Sequence, residues 1–395
     1  MKDVKISDYL WFQEGPGVRN TQYTTSGVKL INVANLVDGN VDLSTSDRYI
    51  SEEEAYGKYN HFLADDGDFV IASSGIKIDY FDKKMGFIKK EHLPLCMNTS
   101  CIRFKVLDTN NLEIKYFMYY LKSNSFKKQL FNQITGSAQL NFGPSHLKKM
   151  TFPLIELKEQ KRIIERLDKT QNIINETKSL LSKYDTLIKS RFIEMFGDPV
   201  QNPKGWKKTE LGNLCKEVRY GTSKPASENG KYTYLRMNNI TYEGELDLTN
   251  IKSIDISEDE LPKCSVRKGD VLFNRTNSIE LCGKTCLYKL DKTMVIAGYI
   301  IRVRVSEKLN PQYVSTLFNT KSIKKLLREM AKGAVNQANI NAQEMQSIQI
   351  PVPPISLQNE YESFVQQIDK SKFAVQKSLE KTETLYKSLM QRYFA

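Results

Sequence analysis

From Leu157 to Phe196 the chain runs without proline or glycine, and one set of positions recurs at steps of three and four: Ile163, Leu167, Thr170, Ile174, Thr177, Leu181, Tyr184, Ile188, Arg191 and Met195. The residues between them are mostly polar or charged, a pattern that predicts an amphipathic helix with a heptad stripe. A second stripe at Tyr361, Val365, Ile368, Lys372, Val375, Leu379, Thr382, Tyr386, Leu389 and Tyr393 predicts a second such helix in the same register. At 1.5 Å per residue each would be ~60 Å long, which suits a spacer or a partner platform. The tether between the two stripes favours their pairing with each other, and antiparallel pairing would relate the two halves by an approximate twofold axis.

Elsewhere the pattern is shorter. Runs such as VKLINVANL, GDFVIASS and CIRFKVL, bounded by Gly, Asp, Asn and Ser, predict strands. Residues 112–134 and 309–331 predict one or two helices each. Strands followed by helices in each half give an α+β class.

The chain is written twice. With a constant offset of 198 residues Gln139 falls on Gln337, Asn141 on Asn339, Pro153 on Pro351, Gln160 on Gln358, Leu181 on Leu379 and Phe196 on Phe394. Upstream the match is looser but ordered: VANLVDGNVDL resembles MNNITYEGELDL, and GDFVIASSG resembles GDVLFNRTN. Strong similarity downstream and weak similarity upstream suit a common frame carrying two modules that read different targets. The break between the copies is EMFGDPVQNPKGW, where Gly197, Pro199, Pro203 and Gly205 end the helix. The expected organisation is therefore residues 1–153, a globular domain; 154–197, a long helix; 198–205, a linker; 206–351, a second globular domain; and 352–395, a second long helix.

Composition adds a partner class. Lys and Arg number 58 against 46 Asp and Glu, a formal net charge of +12, which favours a polyanion such as DNA or RNA. No apolar run approaches the ~18–20 residues that span a bilayer. The N-terminus lacks the features of a secretory signal, so a cytoplasmic location is expected. The six cysteines, few for this length, read as packing thiols.

The loops carry side chains able to contact base edges and phosphates. Arg can pair with guanine, Asn or Gln with adenine, and Lys or Ser with phosphate. On that chemistry the DNA-binding candidates are Arg19, Asn20, Ser73, Ser74, Lys77, Gln139 and Asn141 in the first half. In the second they are Lys224, Arg236, Asn238, Arg275, Thr276, Asn277, Gln337 and Asn339. Catalytic signatures are missing: there is no NPPY or DPPY tetrapeptide, and GKT at Gly283 lacks the first glycine of a phosphate-binding loop. Cys282 and Cys286 have the spacing of half a zinc site without the other half. No catalytic residue and no metal ligand is assigned.

Two halves, each ending in a loop with QxN at the same place (GSAQLN in the first, GAVNQAN in the second), a segment running from proline to glutamine (Pro153 to Gln160, Pro351 to Gln358) and a long helix, with MFGDPVQNPKGW between them, resemble the specificity (S) subunit of type I restriction-modification enzymes. WFQEGPGVRN near the N-terminus is similar to such subunits as well. The resemblance covers essentially the whole chain. It implies two tandem α/β target-recognition domains separated by two long helices that form an antiparallel coiled coil with pseudo-twofold symmetry. It further implies binding of double-stranded DNA at a bipartite, asymmetric site, alongside two modification (methyltransferase) subunits and restriction (endonuclease/translocase) subunits. By the same resemblance the chain binds no cofactor; S-adenosylmethionine, ATP and Mg are expected on the partners. The first copy departs from the pattern, with Pro153-Leu154-Ile155-Glu156 where the second has Pro351-Val352-Pro353-Pro354. Rival readings are an adaptor that binds nucleic acid without sequence preference and a metal-dependent nuclease.

Overall fold

The computed structural model describes residues 2–133, 140–331 and 338–395, and the chain packs as two units. One contains the residues up to Glu176 together with Ser378–Ala395; the other is Thr177–Lys377. Each unit thus holds one globular domain, half of the first long helix and half of the second.

In the first unit a four-stranded antiparallel sheet has the order Leu10–Glu14, Cys101–Val106, Phe69–Ala72, Met85–Phe87. In the second unit the order is Cys215–Tyr220, Ile300–Val305, Val271–Asn274, Thr285–Leu287. A second small sheet in each pairs one strand in parallel, Val28–Ile31 with Leu95–Met97 and Tyr232–Leu235 with Met294–Ile296. The unit-opening strand closes back on the segment leading into the long helix. Val4 lies opposite Phe152, and Thr209 opposite Ile350, so the two copies share this register.

The expected helices over 112–134 and 309–331 are two in each unit, Ile114–Leu121 with Asn124–Gln133 and Pro311–Phe318 with Lys321–Met330. Their apolar faces close the core. Phe117, Tyr120 and Phe126 sit buried with Phe69, Phe104 and Phe152 in the first unit, and Tyr313, Leu317 and Leu327 with Phe273 and Ile301 in the second.

The long helices are Leu157–Phe196 and Ile355–Phe394, each 40 residues. Every stripe residue named from the sequence is buried or half-buried. Within the first unit the beginning of the first helix meets the end of the second, where Arg166 donates to the Tyr393 hydroxyl at 3.0 Å. Within the second unit the end of the first meets the beginning of the second, where the Tyr361 hydroxyl donates to the Ile188 carbonyl at 3.2 Å. The helices therefore pack antiparallel.

The duplicated residues have identifiable jobs. Gln160, fully buried, accepts from Glu113 N at 2.9 Å and donates to the carbonyls of Asn111 and Ile155, both at 2.8 Å. Gln358 does the same with Asn310 N at 2.8 Å and the carbonyls of Lys308 and Pro353 at 3.2 and 2.8 Å. A glutamine has one carbonyl oxygen and two N–H hydrogens, and in both copies the oxygen and both hydrogens are engaged. At the far end of each helix a phenylalanine meets a tyrosine ring: Phe394 lies 5.3 Å from Tyr116, and Phe196 lies 4.8 Å from Tyr313. Those tyrosines donate to the carbonyls of Pro153 and Pro351 at 2.9 and 2.8 Å.

The break between copies is an ordered turn. Gly197 has φ +78°, and a Cβ there would lie 2.7 Å from Pro203 Cγ, so only glycine fits. The Asp198 carboxylate accepts from Val200 N and Gln201 N, and the Trp206 indole donates to the Phe196 carbonyl at 3.0 Å, covering one of the last carbonyls of the helix.

Candidate nucleic-acid interface

In each unit the central strand of the four-stranded sheet runs out into a short ladder. Ser74–Ile76 pairs with Leu140–Asn141, and Thr276–Asn277 pairs with Ala338–Asn339. The register sets Asn141 opposite Ser74 and Asn339 opposite Thr276. Gln139 and Gln337 lie outside the described residues.

In the second unit the ladder gathers four of the predicted residues. Arg275 is held through its backbone, with N donating to Tyr299 O and O accepting from Ile340 N, both at 2.9 Å. Its Nε donates to Asn339 Oδ1 at 3.1 Å, and its guanidinium carbon lies 4.8 Å from the centre of the Tyr220 ring. Thr276, nearly buried, donates its hydroxyl to the same Asn339 Oδ1 at 2.9 Å. Asn277 donates to Asn274 Oδ1 at 3.2 Å, while Asn274, fully buried, ties the carbonyls of Thr276 and Tyr299 together at 3.2 Å each. The Tyr220 hydroxyl accepts from Ala342 N at 2.8 Å.

The first unit builds the same place differently. Ser73 is fully buried, with its hydroxyl 3.5 Å from Glu14 Oε1. Asn141 is exposed beside it. Burial pushes the Glu14 carboxyl above the ordinary glutamate value, and the Ser73 hydroxyl partly opposes that rise.

The remaining candidates are dispersed. Arg19 and Asn20 are exposed where a short helical turn begins, with Arg19 N bonded to Gln22 Oε1 at 3.0 Å. Lys77 is exposed just past the Ser74–Ile76 strand. Lys224 pairs with Glu260, whose carboxylate holds the ammonium more firmly protonated. Arg236 donates to the Asn250 carbonyl at 3.1 Å, and Asn238 is exposed in the turn Met237–Asn239. No hydrogen bond recorded among the described residues joins these to the Arg275 cluster.

Sequence reasoning did not single out Glu14, Tyr220 or Asn274. Asn274 sits one residue before the Arg275 segment but does structural work. Glu14 and Tyr220 end the edge strands of their sheets, opposite Ile102 and Ile301, which hold the same place in CIRFKV and IIRVRV. Aligning the two copies on those strands is the signal that pairs them.

In each unit an aspartate just before the central strand accepts from an arginine of the neighbouring strand, though not the equivalent arginine. Asp68, in GDFV, accepts from buried Arg103 at 3.0 Å. Its counterpart Asp270, in GDVL, accepts from Arg304 Nε at 2.8 Å. Among the described residues no cluster of three or more His, Cys, Asp or Glu could hold a metal ion, and no helix is long and apolar enough to cross a membrane. The six cysteines are free, five of them buried.

The model of the family described as "Type I restriction modification DNA specificity domain" matches residues 18–182 and again 203–383. Across 348 residues the chain is 24% identical to the specificity subunit of the type I restriction enzyme EcoKI of Escherichia coli (strain K12), which covers 83% of this chain and 74% of that protein. The S subunit of the type I restriction-modification system of M. genitalium superposes with a TM-score of 0.55 at 15% identity, over 100% of this chain and 96% of that one. A chain from work on complex assembly and conformational transition of the type I R-M system superposes with a TM-score of 0.54 at 17% identity, over 98% and 97%. At those identities the superpositions speak for the fold, and the family match speaks for the role. A duplicated frame with two differing polar ladders is thus a member of the type I restriction-modification DNA specificity family, a subunit that recognises DNA within its complex and is not itself catalytic.

Proposed function

We propose that residues 1–153 and 206–351 each read one half of a bipartite, asymmetric sequence in double-stranded DNA, and that the two long helices set the distance between the halves. The observation that carries this reading is the contrast between the duplicated frame and the unlike side chains at its two ladders. Base readout needs side chains on a rigid support, and two ladders of different chemistry suit two different half-sites. Half-sites about one helical turn apart, ~34–36 Å, would present the same face of the duplex to both domains.

Two methyltransferase subunits, bringing their own S-adenosylmethionine, methylate an adenine in each half-site under the direction of this chain. Restriction subunits that use ATP and Mg complete the complex, which works in the cytoplasm. The dispersed residues Arg19, Asn20, Lys77, Lys224, Arg236 and Asn238 contribute phosphate or base contacts around the ladders. Genome-wide mapping of N6-methyladenine with and without the gene, in a cell with an active partner methyltransferase, tests the reading. A bipartite motif should vanish on deletion, and the absence of any such motif would sink it.

A further inference from the structure

The Arg275 cluster in the second unit is built to present hydrogen-bond donors only. Arg275 Nε has a hydrogen to give and no lone pair to receive one, so the Asn339 atom 3.1 Å away must be the amide oxygen. That oxygen also takes the Thr276 hydroxyl at 2.9 Å, which fills both of its lone pairs. Asn339 therefore cannot make the two-point contact to adenine, which requires its oxygen to accept from N6. Its NH₂ group remains, on an exposed side chain. Among the described residues no hydrogen bond is recorded for either terminal nitrogen of Arg275. The stem of that fork is fixed twice, by Asn339 along one edge and by the Tyr220 ring against its face.

Four hydrogens on the two terminal nitrogens, held in a fixed plane, match one base edge in the major groove. Guanine offers two acceptors, N7 and O6; adenine and thymine offer one each, and cytosine presents a donor. We propose that Arg275 reads a guanine in the half-site of the second unit, with Asn339 and Tyr220 as the positioning residues that aim it. The equivalent places in the first unit hold Ser73 and Glu14, a hydroxyl beside a carboxylate, so the two halves do not share this preference. The inference rests on the bipartite reading above.

The test uses the complete complex of this chain with its methyltransferase partner, acting on a plasmid library with randomised sites. The wild type should show a guanine, on either strand of one half-site, whose replacement cuts methylation roughly tenfold to a hundredfold. Arg275→Ala should relax that position alone and leave the other half-site unchanged, and Arg275→Lys should relax it in part. Tyr220→Ala and Asn339→Ala should relax the same position, whereas Tyr220→Phe, which keeps the ring, should preserve it.

Replacing that guanine with 7-deazaguanine, which lacks the N7 acceptor, should weaken binding by the wild type and not by Arg275→Ala. If the alanine variant does not assemble, 7-deazaguanine at each guanine of the wild-type motif decides the matter, and no effect anywhere overturns the proposal. So does a uniform loss of binding in Arg275→Ala with base preferences unchanged, which would assign Arg275 to a phosphate. A bipartite motif with no guanine affected sinks this inference alone; no bipartite motif at all sinks the functional reading with it.

Discussion

At the end of its edge strand the first unit places Glu14, opposite Ile102; the second unit, at the same register opposite Ile301, places Tyr220. Beside these stand Ser73 in one and Arg275 in the other, on the residue that follows the central strand. A carboxylate and a hydroxyl face one ladder, a guanidinium on an aromatic ring the other. Yet the helix-leading glutamines make the same three hydrogen bonds, and the helix-ending phenylalanines meet the same tyrosines. Buried polar groups without partners are costly, which fixes the frame, while at the ladders each copy pairs its own side chains, Ser73 with Glu14 and Arg275 with Asn339, and so can differ.

The comparison can be broken hardest where the helices meet the globular cores. In the second unit Tyr361 packs 5.5 Å from both Phe192 and Phe196, where the first unit has Ile163. Tyr361→Ala should cost about 3–5 kcal/mol and Ile163→Ala about 2–5 kcal/mol. The tyrosine should be the larger loss because its hydroxyl bond to Ile188 goes too. Hydrogen exchange should place the lost protection within Thr177–Lys377 for the first variant and outside it for the second; spread across both units in either case would contradict independent packing.

Next in size come the two glutamines. Gln160→Ala and Gln358→Ala should each destabilise by about 3 kcal/mol, given about 1–3 kcal/mol for a buried polar group left unpaired. Urea titration should find the two equal within about 1 kcal/mol, and a marked inequality would show that the copies have stopped sharing this joint.

The smallest effect is a pH dependence confined to the first unit. Burial raises the Glu14 carboxyl, so between the ordinary value of 4.5 and the raised one the folded chain binds more protons than the unfolded chain. Stability contributed by this group therefore falls as pH rises through that window. Glu14→Gln should be more stable than the wild type at neutral pH and lose that advantage as the solution is acidified through the window, measured by urea unfolding at stepped pH. Tyr220→Phe, the matching change in the second unit, should show no such trend there.

The parts of the molecule that obey a period were readable from the sequence. Both stripes follow from spacing, because burial of one face imposes it; the strands VKLI, FVIA and CIRFKV follow from short apolar runs between turn residues, and helix over 112–134 and 309–331 was expected without deciding between one and two. The duplication also marked Gln160, Gln358, Phe196 and Phe394 before their contacts were known.

At the ladders the sequence supplied residue types without their states. Arg275, Thr276 and Asn339 were candidates as separate readers, but only strand pairing shows that Thr276 and Arg275 both bind the Asn339 oxygen and so remove it from reading. Glu14 and Tyr220 belong to strands more than fifty residues away from the segments they face, a separation that no local pattern bridges. The buried Arg103–Asp68 pair, and the pairing of half-buried Arg304 with buried Asp270, were invisible for the same reason.

At each joint between globular domain and long helix sits a glutamine whose hydrogen bonds go to main chain only: one N–H and two carbonyls. A plug that grips the backbone is blind to the sequence of its socket. Substitutions at Asn111, Glu113, Lys308 and Asn310 therefore leave the partners of these glutamines in place so long as the trace of the chain is kept. Part of how each domain is mounted is thereby uncoupled from what its side chains are, by one amide group in each copy.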